Sequence, residues 1–133
     1  MPEPADVVRR FYDELWNEWR LDLVDELLAT DLRFRGSRGA VLEGRDAFRA
    51  YAEATRRGFP DWHNEVDELL VEGDRVAARL TWSGTSTGPF EGREATGARV
   101  RYVGAAFFRV ASGAIATAWV VGDTEAFRRS LDM

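Results

Sequence analysis

Apolar positions in the first half of the chain recur at helical spacing. Over residues 5–19, Val8, Phe11, Tyr12, Leu15, Trp16 and Trp19 fall on one side of a 3.6-residue period. Pro4 fits the first turn of such a helix, and Asp6 suits its positive end. A second, shorter helix is predicted over residues 22–29, with Leu23, Val24, Leu27 and Leu28 as its apolar side. Residues 31–34 read as a short extended piece and Gly36-Ser37-Arg38-Gly39 as a loop. A third helix spans residues 45–57 and buries Ala47, Phe48, Tyr51, Ala52 and Thr55, with Gly58 and Pro60 ending it.

Beyond Pro60 the period changes to two. Residues 62–71 form a strand and Glu72-Gly73-Asp74 a hairpin turn. Its alternation is imperfect: Trp62, Asn64, Val66 and Leu70 are assigned to one side and His63, Glu65, Asp67 and Leu69 to the other. In residues 75–84, Val76, Ala78, Leu80 and Trp82 face one way and Arg75, Arg79, Thr81 and Ser83 the other. Residues 85–97 are rich in Gly and Thr and read as a long loop, long enough to form a rim or lid. Residues 99–110 form a strand with Val100, Tyr102, Ala106, Phe108 and Val110 on one face and Arg99, Arg101 and Arg109 opposite. Ala111-Ser112-Gly113 turns the chain into a last strand, 114–123, and Thr124 caps a terminal helix ending at Leu131. Helices followed by an antiparallel meander define an α+β domain, with helices packed on one face of a curved sheet.

Composition narrows the chemistry. The chain has 133 residues and a mass of 15.0 kDa, the size of a single domain over 1–133. An apolar share of 45% and a charged share of 31% are those of a globular chain rather than a disordered one. No apolar run reaches the roughly 20 residues of a membrane span, and the first residues lack a secretion signal; the expectation is a cytoplasmic protein without a membrane partner. A net charge of −5 argues against a nucleic-acid partner. There is no Cys, one His and no Lys, all 18 basic residues being Arg. That removes thiolate chemistry, a His-rich metal cluster and lysine Schiff bases. What remains is a cofactor-free, metal-free acid/base site or a plain binding pocket.

Motifs along the chain carry a resemblance. Arg10-Phe11-Tyr12 and Trp16-Asn17 stand near the start, and Phe59-Pro60-Asp61 precedes the first long strand. The hairpin at 71–79 follows, then Gly84-Thr85-Ser86-Thr87-Gly88-Pro89-Phe90, Ala95-Thr96-Gly97, Phe108-Arg109-Val110, Gly113-Ala114-Ile115, Trp119 and Asp123. In this order they resemble the SnoaL-like polyketide cyclases of the nuclear transport factor two-like superfamily, which includes ketosteroid isomerases and limonene epoxide hydrolases. The resemblance implies a cone: three N-terminal helices over the concave face of a bent sheet, enclosing a deep apolar pocket. It also implies a homodimer and cofactor-free intramolecular aldol ring closure, with a carboxylate near the end of the last strand as acid/base. Asp123 occupies that place. The chain departs from the family at Ser86, where many relatives carry His, and at Phe107, Phe108 and Arg109, where the strand offers no His to pair with the aspartate.

Strand parity gives Asp123 a second argument. In a straight strand Ile115, Thr117, Trp119, Val121 and Asp123 share a face, so the acid ends a largely apolar row and is expected to project into the pocket with a raised pKa. The alternative is a cap on the terminal helix, where backbone N–H groups lower it. Trp119 in the same row, Tyr12 and Trp16 four residues apart on the first helix, and Trp82 and Tyr102 on the apolar faces of their strands are candidate pocket walls or ordinary core. His63 adjoins Trp62 and is the alternative acid/base group. The substrate class that follows is a bulky, flat, apolar ketone. The rival reading is a small-ligand binder without chemistry, or another isomerase or hydrolase of the superfamily. The two-sided apolar run 103–108 points to a homodimer through the convex sheet face.

Overall fold

The computed structural model describes residues 2–132. Helix α1, Pro4–Arg10, starts on Pro4 and continues without a break into a wider π-helical turn, Phe11–Trp16. A 3₁₀ turn, Leu21–Leu23, leads into the single-turn α2, Val24–Leu27. Strand β1, Leu28–Arg35, and the short β2, Val41–Glu43, come before α3, Arg45–Gly58. The meander follows as β3, His63–Glu72; β4, Arg75–Thr85; β5, Arg99–Ala111; and β6, Ala114–Gly122. Helix α4, Thr124–Leu131, is the last element among the described residues.

The fold class is the α+β cone expected from sequence, with two corrections. The sheet has six strands in the order β2-β1-β6-β5-β4-β3. It is mixed rather than antiparallel, because β1 runs parallel to β6. The helix expected over 22–29 stops at Leu27, and the extended piece expected at 31–34 is the eight-residue β1, which buries Leu28, Leu32 and Phe34. The segment before β1 ends a helix rather than a hairpin, so β1 arrives at the sheet free of any antiparallel partner upstream.

Two β-bulges decide which side chains face inward. Between β5 and β6 the pairing passes from Arg109↔Thr117 to Val110↔Ile115, leaving Ala116 as an extra residue. The parallel ladder with β1 shifts at the same place. Between β3 and β4 it passes from Val66↔Leu80 to Glu68↔Arg79, leaving Asp67 extra. A bulge inverts the alternation of every residue beyond it. Leu69 therefore turns toward the helices and Leu70 outward, 63% exposed, reversing the parity expected from sequence.

Helices α1 and α3 cover the concave face. Phe11, fully buried, packs its ring within 6.5 Å of Phe34, Phe48 and Phe108, which come from β1, α3 and β5. Asn17, just after the π-helical turn, ties this helix to edge strand β3. Its amide donates to Asn64 O at 2.8 Å, and its Oδ1 accepts from Asn64 N at 2.8 Å. Among the described residues no helix is long and apolar enough to cross a membrane.

Candidate functional site

The concave face closes over a small aromatic cavity of about 30 Å³. Its floor is the facing pair Trp82 and Tyr102, directly opposite in the β4–β5 ladder, with ring centroids 4.9 Å apart. Room for the indole comes from a facing pair of glycines, Gly104 on β5 and Gly122 on β6. A Cβ on Gly104 would lie 2.2 Å from Val121 O and 2.5 Å from the Trp82 ring. The roof is Tyr12 and Trp16, set by the π-helical turn in which Asn17 N–H donates to Tyr12 O, five residues back. Tyr51 and Thr55 of α3 and Ser37 and Arg38 of the β1–β2 loop close the remaining side.

Apart from Arg38, the polar side chains of the cavity are neutral. Ser37 Oγ and Tyr102 Oη lie 3.0 Å apart in a buried hydrogen bond. All three tyrosines of the chain stand at this cavity. Burial pushes each phenol above its ordinary pKa, because a desolvated phenolate is costly. The Ser37 hydrogen bond and the nearby Arg38 charge pull Tyr102 the other way without reversing the shift. The phenols thus stay protonated at neutral pH and act as hydrogen-bond donors. Arg38 is the one formally charged side chain among the described cavity-lining residues; no Asp, Glu or His lines it.

Arg38 also borders a second hollow, of about 320 Å³, between α4 and the loop after β4. That loop is well anchored. Thr87 N and Gly88 N both donate to Gly58 O at 3.1 Å, and Ser86 Oγ, buried, accepts from Thr96 N at 3.0 Å. A Cβ at Gly88 would meet Arg57 O at 2.0 Å, so glycine lets the loop lie against the end of α3.

The structure brings together Tyr12, Trp16, Trp82 and Tyr102 of the sequence candidates and places three elsewhere. Asp123 is exposed, and its Oδ1 accepts from Ala126 N at 3.0 Å. It is therefore the N-cap of α4, which is the alternative reading of Asp123 and replaces Thr124 as the expected cap, and it does not project into the cavity. Trp119 is 56% exposed on the convex face, with the Arg35 guanidinium 4.6 Å over its ring. His63, at the start of β3, is exposed on that same outer face opposite Ser83. The bulge at Ala116 explains the first two: beyond it Ala118 and Val120 point inward, and Thr117, Trp119 and Val121 point out. Sequence reasoning missed Tyr51, Ser37, Arg38 and Asn64 at the cavity wall. Helical spacing marks Tyr51 only as helix core, and nothing local marks a Gly-Ser-Arg-Gly loop as part of a cavity. Among the described residues no three His, Asp or Glu side chains converge as a metal site would require.

Comparison with known proteins adds the following. The sequence pattern of the SnoaL-like polyketide cyclases matches residues 6–131. No curated protein matches this chain. Among solved structures, a candidate SnoaL-like polyketide cyclase from a Jannaschia species is similar at 25% identity and a TM-score of 0.88, over 96% of this chain and 90% of that one. IdmH, a candidate polyketide cyclase from Streptomyces antibioticus, shares the fold at 24% identity and a TM-score of 0.86, over 99% and 100% of the two chains. AclR from Streptomyces galilaeus, a candidate hydroxylase, is similar at 25% identity and a TM-score of 0.83, over 97% and 80%.

Proposed function

We propose that this chain, which belongs to the SnoaL-like polyketide cyclase family, binds a flat, apolar ketone so that only its carbonyl end reaches the aromatic cavity, which has room for about one water-sized group. There it promotes intramolecular ring closure by donating hydrogen bonds to carbonyl oxygens. The observation that carries the reading is the set of buried, neutral donors at the cavity: the phenols of Tyr12, Tyr51 and Tyr102 and the Ser37 hydroxyl. In the reaction, an enol carbon of the substrate bonds to the carbon of a second carbonyl in the same molecule. The enol oxygen returns to a carbonyl and releases its proton, and the acceptor oxygen gains one to become a hydroxyl. The product is an isomer, so no cofactor is consumed. Tyr102, oriented by Ser37, is the donor for the acceptor oxygen, where negative charge develops. Asp123, held by the α4 backbone, has no part in this chemistry.

A specific observation favours a second reading. No carboxylate or imidazole lines the cavity among the described residues, so no side chain there can take a proton from carbon. A binder without chemistry needs only the aromatic walls. Benzoylacetone, a flat aromatic 1,3-diketone, separates the two. Deuterium exchange at its central carbon, followed by NMR, runs faster than in buffer if the donors stabilise the enol, and Tyr102→Phe slows it by about 10–100-fold. Binding without acceleration supports the binder. Failure to bind any flat ketone overturns both.

The proposal extends to a homodimer through the convex face, which carries an open cleft of about 510 Å³ where Leu70, Phe107 and Trp119 meet Glu72, Arg75 and Arg109. Light scattering tests it: a mass near twice 15.0 kDa at micromolar concentration is expected, and the monomer mass would defeat it.

A further inference from the structure

Arg38 has an unusual setting. Its side chain is 18% exposed, and its guanidinium carbon lies 4.7 Å above the Phe90 ring and 5.6 Å from that of Phe127. Its buried Nε has no hydrogen-bond partner. Glu91 Oε1 lies 3.2 Å from that nitrogen but off the line of its N–H bond, and the Glu91 side chain is 59% exposed. Glu91 also holds a positive φ of 49°, a conformation uncommon for a residue with a side chain. A buried guanidinium offers five donors in a planar fork and accepts none. Here one of those donors is idle, and the nearest counter-charge is an exposed, poorly aligned carboxylate on the loop.

Arg38 is also the residue common to the inner cavity and the outer hollow. The inner cavity, at about 30 Å³, has room for about one water. The outer one, at about 320 Å³, reaches the lower end of the range for small-ligand sites. Arg38 thus stands between the two hollows, with aromatic side chains on either side of it.

We infer that the two hollows form one bipartite ligand site, in which the Arg38 fork grips a carboxylate of a flat ligand and Glu91 is the counter-ion the ligand displaces. The ligand class is a planar aromatic or conjugated acid. Its apolar body lies along Phe90 and Phe127 and extends toward Tyr102. This rests on the aromatic cavity being the ligand seat, and it names the charge the ligand carries. A carboxylate aligned with the guanidinium makes two parallel charge-assisted bonds where Glu91 makes none.

The test compares 2-naphthoate with 2-acetylnaphthalene, two molecules of nearly one shape that differ in charge, by equilibrium dialysis. Naphthoate is expected to bind about tenfold more tightly or better. Arg38→Met removes that preference, so that naphthoate binds no more tightly than the ketone does to the same variant. Glu91→Gln, at an exposed position, tightens naphthoate several-fold and leaves the ketone unchanged, so a folding defect in Arg38→Met does not decide the matter. Equal binding of the two molecules overturns the anion site while leaving the cavity as a ketone seat. Naphthoate preference that survives in both variants also overturns it, since the anion is then held elsewhere. If neither molecule binds, the cavity reading falls together with the inference.

Discussion

The two faces of the sheet are built from the same strands and treat large apolar side chains in opposite ways. On the concave face, Leu69, Ala78, Ala106 and Val120 form a cross-strand row of small and medium residues under the helices. One step along each strand, on the convex face, the matching row is Leu70, Ala77, Phe107 and Trp119. Phe107 and Trp119 stand 53% and 56% exposed, against 2% for Phe108. The charged residues Glu72, Arg75 and Arg109 border this outer row on one side. The small inner row lies under the helices, and the large outer row leaves its apolar surface exposed. Size and hydrophobicity therefore do not tell inside from outside here; register does.

The sharpest way to break the contrast is to truncate neighbouring residues on opposite faces. Phe108→Ala removes a ring that packs against Phe11 and Tyr12, and should cost about 3–5 kcal/mol, read as a lowered urea midpoint with an unchanged slope.

An alkaline titration tests the inner face without mutation. The folded chain holds all three phenols above their ordinary pKa of about 10. The unfolded chain releases those protons first, so stability is intact below pH 10 and falls as the pH climbs beyond it. The limiting slope is about 1.4 kcal/mol per pH unit for each tyrosine. Phenolate absorbance should rise only together with loss of the fold. A tyrosine ionising near pH 10 in the folded protein would mean an open cavity.

Asp123 gives a smaller effect. Asp123→Ala deletes the α4 cap at a cost of about 0.5–2 kcal/mol, while Asp123→Asn, an equally good cap, stays within a few tenths. Neither variant should alter ligand binding in the cavity. Loss of turnover in Asp123→Asn with stability unchanged would return the carboxylate to the chemistry. The smallest effect is that of Phe107→Ala, within about 0.5 kcal/mol for the monomer. That variant should still halve the mass seen by light scattering, which makes it the counterpart of Phe108→Ala.

The sequence was most legible where a single period runs unbroken. The meander strands fall within a residue or two of their expected ends, and α3 and α4 sit where capping, Gly58 and Pro60 place them. Tyr12, Trp16, Trp82 and Tyr102 lie before or outside the bulges that disturb parity, and they reach the cavity. Trp119 and Asp123 lie beyond Ala116, where one extra residue reverses the face. Ala116 has no turn chemistry to announce it, since a small residue in a strand is common. The parallel seam between β1 and β6 was equally silent, because pairing between distant segments leaves no local pattern. Arg38 and Ser37 were invisible for a related reason: a loop's burial depends on what folds over it, here α4 and the loop near Phe90.

The β1–β6 seam also bears on how the chain is made. Leu28 pairs with Ile115, so one wall of the cone waits for a strand synthesised after β2, β3, β4 and β5. Until β6 arrives, a growing chain exposes an unpaired β1 edge and the apolar undersides of α1 and α3. Long-range pairings of this kind are slow to form and prone to wrong partners. Any half of the protein expressed alone would lack its own core, and splitting the chain at the β3–β4 hairpin should give two fragments that stay soluble only when produced together.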